Sequence, residues 1–220
     1  MISYRPYPFY IAYIFKKYLR KEYSKAEAKH RWNLTLENYR KLMEKGEDIG
    51  GKENRMSSNL YMALAVFAFY DAIDRKITKE ELKDYINGFM PKSIPVLSKL
   101  ADFNKIENQN RLRKRFENYK VLSDQKLAKG EWGNNWRVEI NPHNREKGLA
   151  FDFTSCPLAD FARKNGYMEI MPVLCEFDYQ TAALMHAKLI REHTIAVNGD
   201  YCDYWYIGDK DTDERESGNE

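Results

Sequence analysis

The sequence GEWGNNWRVEINPHNREKGLAFDF, residues 130–153, marks the point where the character of the chain changes. It opens with a turn of glycine and asparagine. Trp136 to Ile140 then alternates and is rich in Trp, Val and Ile, which predicts a strand. Leu149 to Phe153 predicts a second strand after a loop. Because the chain before this stretch has helical periodicity, the sequence predicts a helical half followed by a half that contains a sheet.

The first 127 residues are predicted to be helical. The stretch from Leu60 to Asp74 is apolar nearly all round, which is typical of a helix at the centre of a core, and Ser57, Ser58 or Asn59 could cap it. A capping box at residues 78–81 opens another helix. The predicted helices are Ile11–Tyr23, Ala26–Lys45, Leu60–Asp74, Thr78–Gly88, Ile94–Leu100 and Asn110–Leu127.

The remainder of the chain predicts an α+β arrangement. Pro157 to Lys164 and Pro172 to Leu189 have the pattern of helices, with Pro157 at the first position of its helix. Glu192 to Val197 and Tyr201 to Ile207 are predicted to form a hairpin across the Asn198-Gly199-Asp200 turn. The expected fold is a roughly four-stranded antiparallel sheet packed against helices from both halves. We expect one domain over residues 1–208, with a helical part (1–127) and a sheet-containing part (131–208), and an acidic flexible tail over 209–220.

Composition excludes several classes of protein. The 220 residues are 43% hydrophobic and 31% charged, which indicates a globular and not a disordered chain. The formal charge of +3 is too small to imply a nucleic-acid partner. Basic residues follow the apolar run at residues 7–15, which is the wrong order for a signal peptide. The three cysteines form no CxxC pair, so we expect no disulfide framework and a cytoplasmic location.

The three cysteines are the first candidates for chemistry. Cys156 precedes Pro157 and is predicted to be the N-cap of a helix, where the helix dipole and unpaired amides favour a thiolate. Cys175 lies three residues before Asp178 on a predicted helix, so the two side chains are neighbours. Cys202 and Asp203 are adjacent in a strand and face opposite sides. The alternative for each cysteine is a small buried apolar residue.

The histidines give weaker signals than the cysteines, and the common nucleotide-binding and serine-hydrolase motifs are absent. His186 or His193 could serve in acid–base chemistry, but a structural role is the simpler interpretation of each, and no His-x-x-x-His pair is present. Three cysteines with His193 could bind zinc, yet their spacing matches no standard zinc module. The chain has no GxGxxG, GxxxxGK[ST] or GxSxG motif. We therefore expect neither a metal nor another cofactor.

Several segments resemble the L-2-amino-thiazoline-4-carboxylic acid hydrolase family. The specific part of the resemblance is the series Cys156-Pro157, Cys175-Glu176-Phe177-Asp178, residues 191–196, Gly199 and Cys202-Asp203-Tyr204. The helical half adds weaker matches, at residues 49–54, Ser58-Asn59-Leu60 and residues 68–72. One departure is visible, because the motif of the family usually reads Cys-Asp-Phe and Tyr204 stands in the Phe position.

The resemblance implies hydrolysis of a ring carbon–nitrogen bond in a cyclic amidine, with S-carbamoyl-cysteine as the product if the ring nitrogen leaves. Asp178 or Asp203 would be the base and Cys156 the nucleophile. Cys202 would belong to the catalytic set, and Cys175 would line the pocket. Arg191 would bind the carboxylate of the substrate, with Asn59 and Thr194 as further donors. Covalent catalysis and direct attack by water both stay open.

Two further expectations complete the prediction. The three thiols should converge on one cavity, to which the helical half contributes through Gly50-Gly51 and Asn59. The alternative to an enzyme is a non-catalytic small-molecule-binding or metal-binding sensor on the same fold. As partners we expect a small-molecule substrate, no nucleic acid and no membrane, and homo-oligomer formation is left open.

Overall fold

The computed structural model describes residues 5–88, 101–197 and 199–211. Within those ranges the chain forms seven α-helices and one four-stranded antiparallel sheet, which confirms the predicted α+β fold. The elements are α1 (Phe9–Glu22), α2 (Lys25–Lys45), α3 (Ser57–Ala72), α4 (Lys79–Asn87), α5 (Ile106–Ala128), β1 (Arg137–Ile140), β2 (Leu149–Ser155), α6 (Pro157–Asn165), α7 (Met171–Leu184), β3 (Ala187–Ile190), a 3₁₀ turn (Ile195–Val197) and β4 (Cys202–Gly208). The helix predicted over residues 94–100, Asn198 and residues 212–220 of the predicted tail lie outside the described residues.

The sheet has the strand order β1-β2-β4-β3, and its register divides the side chains between two faces. Phe153 lies opposite Cys202, Asp152 opposite Asp203, and Phe151 opposite Tyr204. Side chains alternate along a strand, so the phenylalanines, Cys202 and Tyr204 share the face that packs on the helices. Asp152 and Asp203 share the other face with a small apolar cluster that includes Ala150, Trp205 and Ile207.

Helix α3 lies at the centre of the core, as its all-apolar sequence predicts. Leu64, Phe67 and Phe69 on this helix are fully buried. The ring of Phe69 stacks on Phe15 of α1 at 3.8 Å, and the ring of Phe67 stacks on Tyr167 at 4.5 Å. Helix α3 thus joins the N-terminal helices to the C-terminal half. No helix of the described residues, α3 included, is both long and apolar enough to cross a lipid bilayer.

The start of α3 differs from the prediction. The helix begins at Ser57 after Met56, and no side chain caps it. The buried Asn54 instead orders the turn in front of it, because its amide donates to the Ile49 carbonyl at 2.6 Å and its oxygen accepts the Met56 N–H at 2.9 Å. Ser57 donates to the carbonyl of Gly51 at 2.6 Å. By contrast, the capping box between Thr78 and Glu81 that opens α4 is present as predicted.

The prediction over residues 185–197 was wrong. Helix α7 ends at Leu184, and residues 187–189, predicted as its last residues, belong to β3 (Ala187–Ile190). His186 reverses the chain between them in the left-handed conformation, with φ of 52°. Residues 192–197, predicted as a strand, form a loop and a 3₁₀ turn because the carboxylate of Asp203 accepts the amides of Glu192 and His193 at 3.0 and 2.5 Å. The hairpin partner of β4 is therefore β3.

Two turns connect the helical half to the sheet. Gly50 has φ of +94°, and a Cβ at this position would lie only 2.2 Å from the indole ring of Trp132. The amide of Asn54 donates to Asn135 across the same junction at 3.1 Å. The glycine therefore permits close approach of the ring to the backbone, and it fixes how the first half sits beside the strand β1.

Candidate active site

Three elements bring the cysteine thiols together. Cys156 is the N-cap of α6, Cys175 lies on α7, and Cys202 is the first residue of β4. All three are free thiols. Cys156 and Cys202 both raise the pKa of Cys175, and Cys202 raises the pKa of Cys156, so the three groups are electrostatic neighbours. We call this set, with Asp178, Arg191 and Tyr204, the thiol cluster.

The thiols are protonated, which contradicts the predicted thiolate at Cys156. The amides of Leu158 and Ala159 at the helix N-terminus do lower its pKa, as the prediction assumed, but neither forms a capping hydrogen bond to the thiol. Burial has the larger effect and raises the pKa of Cys156 to about 12. Burial also raises the pKa of Cys175 and of Cys202, although the N–H of Ile195 donates to the Cys202 sulfur at 3.2 Å.

An ion pair between the buried Arg191 side chain and the half-buried Asp178 lies beside the thiols. Nη1 of Arg191 is 2.9 Å from Oδ2 of Asp178, and Nη2 donates to the carbonyl of Cys175 at 2.8 Å. Only 3% of the Arg191 side chain is exposed. Its guanidinium lies between the rings of Tyr179 and Tyr204, at 4.8 and 5.0 Å from their centroids. Its buried Nε has no hydrogen-bond partner among the described residues, so donor capacity remains for an anionic group.

Tyr204 belongs to this site, although it was not among the predicted site residues. Its hydroxyl donates to Oδ2 of Asp178 at 2.8 Å, while its ring stacks on Phe151 at 4.9 Å. Burial raises the pKa of Tyr204 well above its ordinary value, so the hydroxyl keeps its proton. The available signal was the tyrosine in a motif position where the family usually has phenylalanine.

The two carboxylate oxygens of Asp178 have different surroundings. Oδ2 accepts hydrogen bonds from Arg191 and Tyr204. Oδ1 accepts no hydrogen bond from the part of the chain that the structure describes. About a third of the side chain is exposed, at 36%. Burial raises the pKa of Asp178 and outweighs the opposing effects of the Arg191 cation and the Tyr204 hydroxyl. A carboxylate with one anchored and one accessible oxygen can accept a proton from a bound water.

The remaining predicted site residues lie elsewhere. Asp203 points to the opposite face of the sheet from Cys202. The carbonyl of Thr194 accepts the amides of Val197 and Gly199 and so orders the loop. Asn59 lies in the first turn of α3. Within residues 5–88, 101–197 and 199–211, no hydrogen bond joins the side chain of Thr194 or Asn59 to the thiol cluster, and their roles as donors stay predictions.

Two clefts lie at the junction of the helical half and the sheet. The first is lined by residues that include Ile49, Leu60 and Pro157. The second is an open cleft of about 550 Å³ whose lining includes Asp48 and Arg137. Residues of the helical half do contribute to both clefts, but no thiol lines either of them. We place the candidate site at the thiol cluster because the ion pair, the accessible oxygen and the buried donor are there.

The fold and this site define a class of protein: an α+β protein with a buried arginine–carboxylate pair surrounded by thiols. The model of the family described as L-2-amino-thiazoline-4-carboxylic acid hydrolase matches residues 58–206. The match covers more than half of the chain and includes every residue of the thiol cluster, so the chain belongs to this family. Searches of curated proteins and of solved structures gave no significant match.

Proposed function

We propose that this protein is a hydrolase that opens a ring carbon–nitrogen bond in a cyclic amidine bearing a carboxylate. Membership of the family supports the class of reaction. The observation that carries the proposal is the asymmetric environment of Asp178, with Oδ2 held by two donors and Oδ1 accessible. This is the arrangement that a general base needs, because the anchored oxygen fixes the direction of the other.

Arg191 would bind the carboxylate of the substrate. A cation whose side chain is only 3% exposed and whose Nε lacks a partner among the described residues is suited to bind an anion that enters the site. The Tyr179 and Tyr204 rings hold the guanidinium plane in place. The substrate ring would then lie beside the three thiols, whose neutral and polarizable sulfur atoms provide an apolar surface.

The reaction would proceed by attack of water. Oδ1 of Asp178 takes a proton from water as its oxygen bonds to the ring carbon between sulfur and nitrogen. Addition to the protonated amidine moves the π electrons of the C=N bond onto the ring nitrogen and gives a neutral tetrahedral intermediate. Asp178 returns its proton to the ring nitrogen as the carbon–nitrogen bond breaks, and it takes the proton of the hydroxyl as the carbonyl forms. That proton passes to the released amine, so Asp178 is regenerated and the product is S-carbamoyl-cysteine, a thiocarbamate. The raised pKa of Asp178 suits it to both transfers.

Direct attack by water is favoured over covalent catalysis by Cys156. A thiol with a pKa of about 12 is almost wholly protonated at neutral pH, and the thiolate is the nucleophile. We therefore expect Cys156→Ser to keep the value of kcat/KM within about tenfold of wild type. A loss of roughly a hundredfold or more, the size expected for one positioned catalytic group, would instead establish Cys156 as the nucleophile.

The test measures hydrolysis of L-2-amino-thiazoline-4-carboxylate and identifies the product by mass spectrometry and NMR. Asp178→Asn should lower kcat/KM by roughly a hundredfold or more. Asp74→Asn is the matched control, because Oδ2 of Asp74 lies 3.0 Å from Nη1 of Arg31 in an exposed pair of the same kind. Saturable binding without turnover would contradict the proposal and favour the alternative of a small-molecule-binding protein. Equal losses in the two variants would remove Asp178 from the mechanism.

A further inference from the structure

A second cluster of ionisable side chains lies on the opposite face of the sheet from the thiols. Asp152 of β2 and Asp203 of β4 are directly opposite each other in the antiparallel register. Nε2 of His143 is 2.9 Å from Oδ2 of Asp152, and Nδ1 of His193 is 3.7 Å from Oδ1 of Asp203. Glu192 lies next to His193 and adds a third carboxylate. None of these five residues belongs to the thiol cluster.

Three of these side chains lie close enough together to hold a metal ion. They are Glu192, His193 and Asp203. Each offers one ligand atom, and these three atoms lie within 4.8 Å of one another. Two ligands on opposite sides of a first-row ion are separated by about 4 Å, since each lies about 2.0–2.2 Å from the metal. Glu192 and His193 are exposed, so small rotations of their side chains can close the remaining distance.

An independent observation on Asp152 also points to a cation. Its side chain is 9% exposed, and its Oδ1 has no hydrogen-bond partner among the described residues. The carboxylate of Asp203 is its cross-strand neighbour, and like charges in directly opposite positions of a sheet are destabilising. A positive charge between the two strands would relieve this repulsion.

The surroundings hold the ligands in place. The amides of Glu192 and His193 donate to Asp203 at 3.0 and 2.5 Å, so its carboxylate is oriented by the same loop that supplies the other two ligands. The ring of Tyr201 lies 5.0 Å from that of His193 and 6.1 Å from that of His143. Hydrogen bonds to ligating carboxylates are the usual support of a metal site.

We propose that Glu192, His193 and Asp203 bind a divalent transition-metal ion, with Asp152 and His143 beside it. The imidazole ligand favours zinc and similar ions over magnesium or calcium, which prefer sites made of oxygen alone. The site is separate from the thiols because Cys202 and Asp203 face opposite sides of β4. A bound ion would also fix the loop that begins at Arg191. The proposal does not depend on the proposed hydrolysis.

The test titrates Zn²⁺ into the intact protein by calorimetry and records the absorption spectrum of the Co²⁺ complex. We expect one ion per chain and no thiolate-to-cobalt charge-transfer band. Glu192→Gln and His193→Gln should each weaken Zn²⁺ binding by about tenfold or more. His186→Asn is the matched control and should bind zinc like wild type. It removes an exposed histidine that lies 3.2 Å from Asp209, and asparagine tolerates its left-handed backbone.

Each contrary outcome overturns the proposal. Absence of zinc binding would show that the three side chains do not form a metal site. A strong thiolate band, or affinity that survives both ligand variants, would move the metal to the cysteines. Tight binding of Mg²⁺ with weak binding of Zn²⁺ would contradict the role of the imidazole. Because the two ligand side chains are exposed, these variants should fold, which circular dichroism and the unfolding midpoint can verify.

Discussion

Replacement of Tyr204 by phenylalanine isolates a single hydrogen bond to the proposed base. The hydroxyl donates to Oδ2 of Asp178 at 2.8 Å, while the ring stacks on Phe151. Phenylalanine keeps that packing, and it is the residue that the motif of the family usually has in this position. The variant should therefore fold, and its properties should report on the lost donor and on little else.

The size of the effect follows from the charge of the acceptor. A hydrogen bond to a charged group contributes about 1.5–3 kcal/mol, and the lower end applies because about a third of Asp178 is exposed. The bond stabilises the ionised carboxylate, so its loss raises the pKa of Asp178. At about 1.4 kcal/mol per unit, the expected rise is about one pKa unit.

Two measurements test whether the pKa of Asp178 rises in the variant. The acid limb of the pH profile of kcat/KM should move to higher pH by about one unit in Tyr204→Phe. The raised pKa of a buried carboxyl also means that stability falls as pH rises from its unfolded to its folded pKa. The variant should therefore lose about 1.5 kcal/mol of unfolding free energy at neutral pH, and less at low pH, where Asp178 is protonated and the bond is weaker.

Tyr179→Phe is the control for this experiment. The Tyr179 ring also lies against Arg191, but its hydroxyl is directed to the Arg191 carbonyl at 3.5 Å and not to Asp178. The acid limb of the pH profile of kcat/KM should therefore not move in Tyr179→Phe. A Tyr204→Phe profile that shifts to lower pH, or does not shift, would refute the assignment of Asp178 as the base that Tyr204 stabilises.

Three further predictions concern stability and reactivity. Gly148→Ala should lower the unfolding free energy measured in urea by about 3 kcal/mol or more, because φ is +72° and a Cβ would lie 2.0 Å from the Tyr206 carbonyl oxygen. Its control is Gly130→Ala, where φ is +73° but a Cβ would meet no atom within 4 Å, and the expected loss is only about 1–2 kcal/mol. Native protein at pH 7–8 should react with iodoacetamide more slowly at all three thiols than urea-unfolded protein does, and fast modification of Cys156 would contradict its raised pKa. Asn54→Ala should lower the unfolding free energy by about 2–4 kcal/mol, since it removes the donor to the buried Ile49 carbonyl and the acceptor of the Met56 N–H.

Local signals predicted most of the fold. The alternation around β1 and β2, the proline at the start of α6 and the capping box at Thr78 all act within a few residues, and each is confirmed. Strand β3 was missed because it is only four residues long and continues the apolar sequence of α7, where periodicity does not separate helix from strand. Its position depends on pairing with β4, which is a tertiary effect.

The candidate site was predictable in position but not in charge. The three thiols were expected to converge on one cavity, and the structure makes them electrostatic neighbours, although no thiol lines either of the two clefts. The protonation of Cys156 depends on how deeply the surrounding elements bury it, and no local pattern reports that burial. The cluster on the other face was also hidden, because the carboxylates beside His143 and His193 are brought together only by the register that places Asp152 opposite Asp203.

The strand order has a consequence for the synthesis of the protein. β4 is the last described element in the chain, yet it lies between β2 and β3 and carries Cys202, Asp203 and Tyr204. The helical half leaves the ribosome first and can begin to fold early, whereas the sheet must wait for β4 and for contacts distant in sequence, which form slowly. Both clusters therefore form together at the end. A nascent or nicked chain without this strand lacks Cys202, Asp203 and Tyr204, so neither cluster is complete in it.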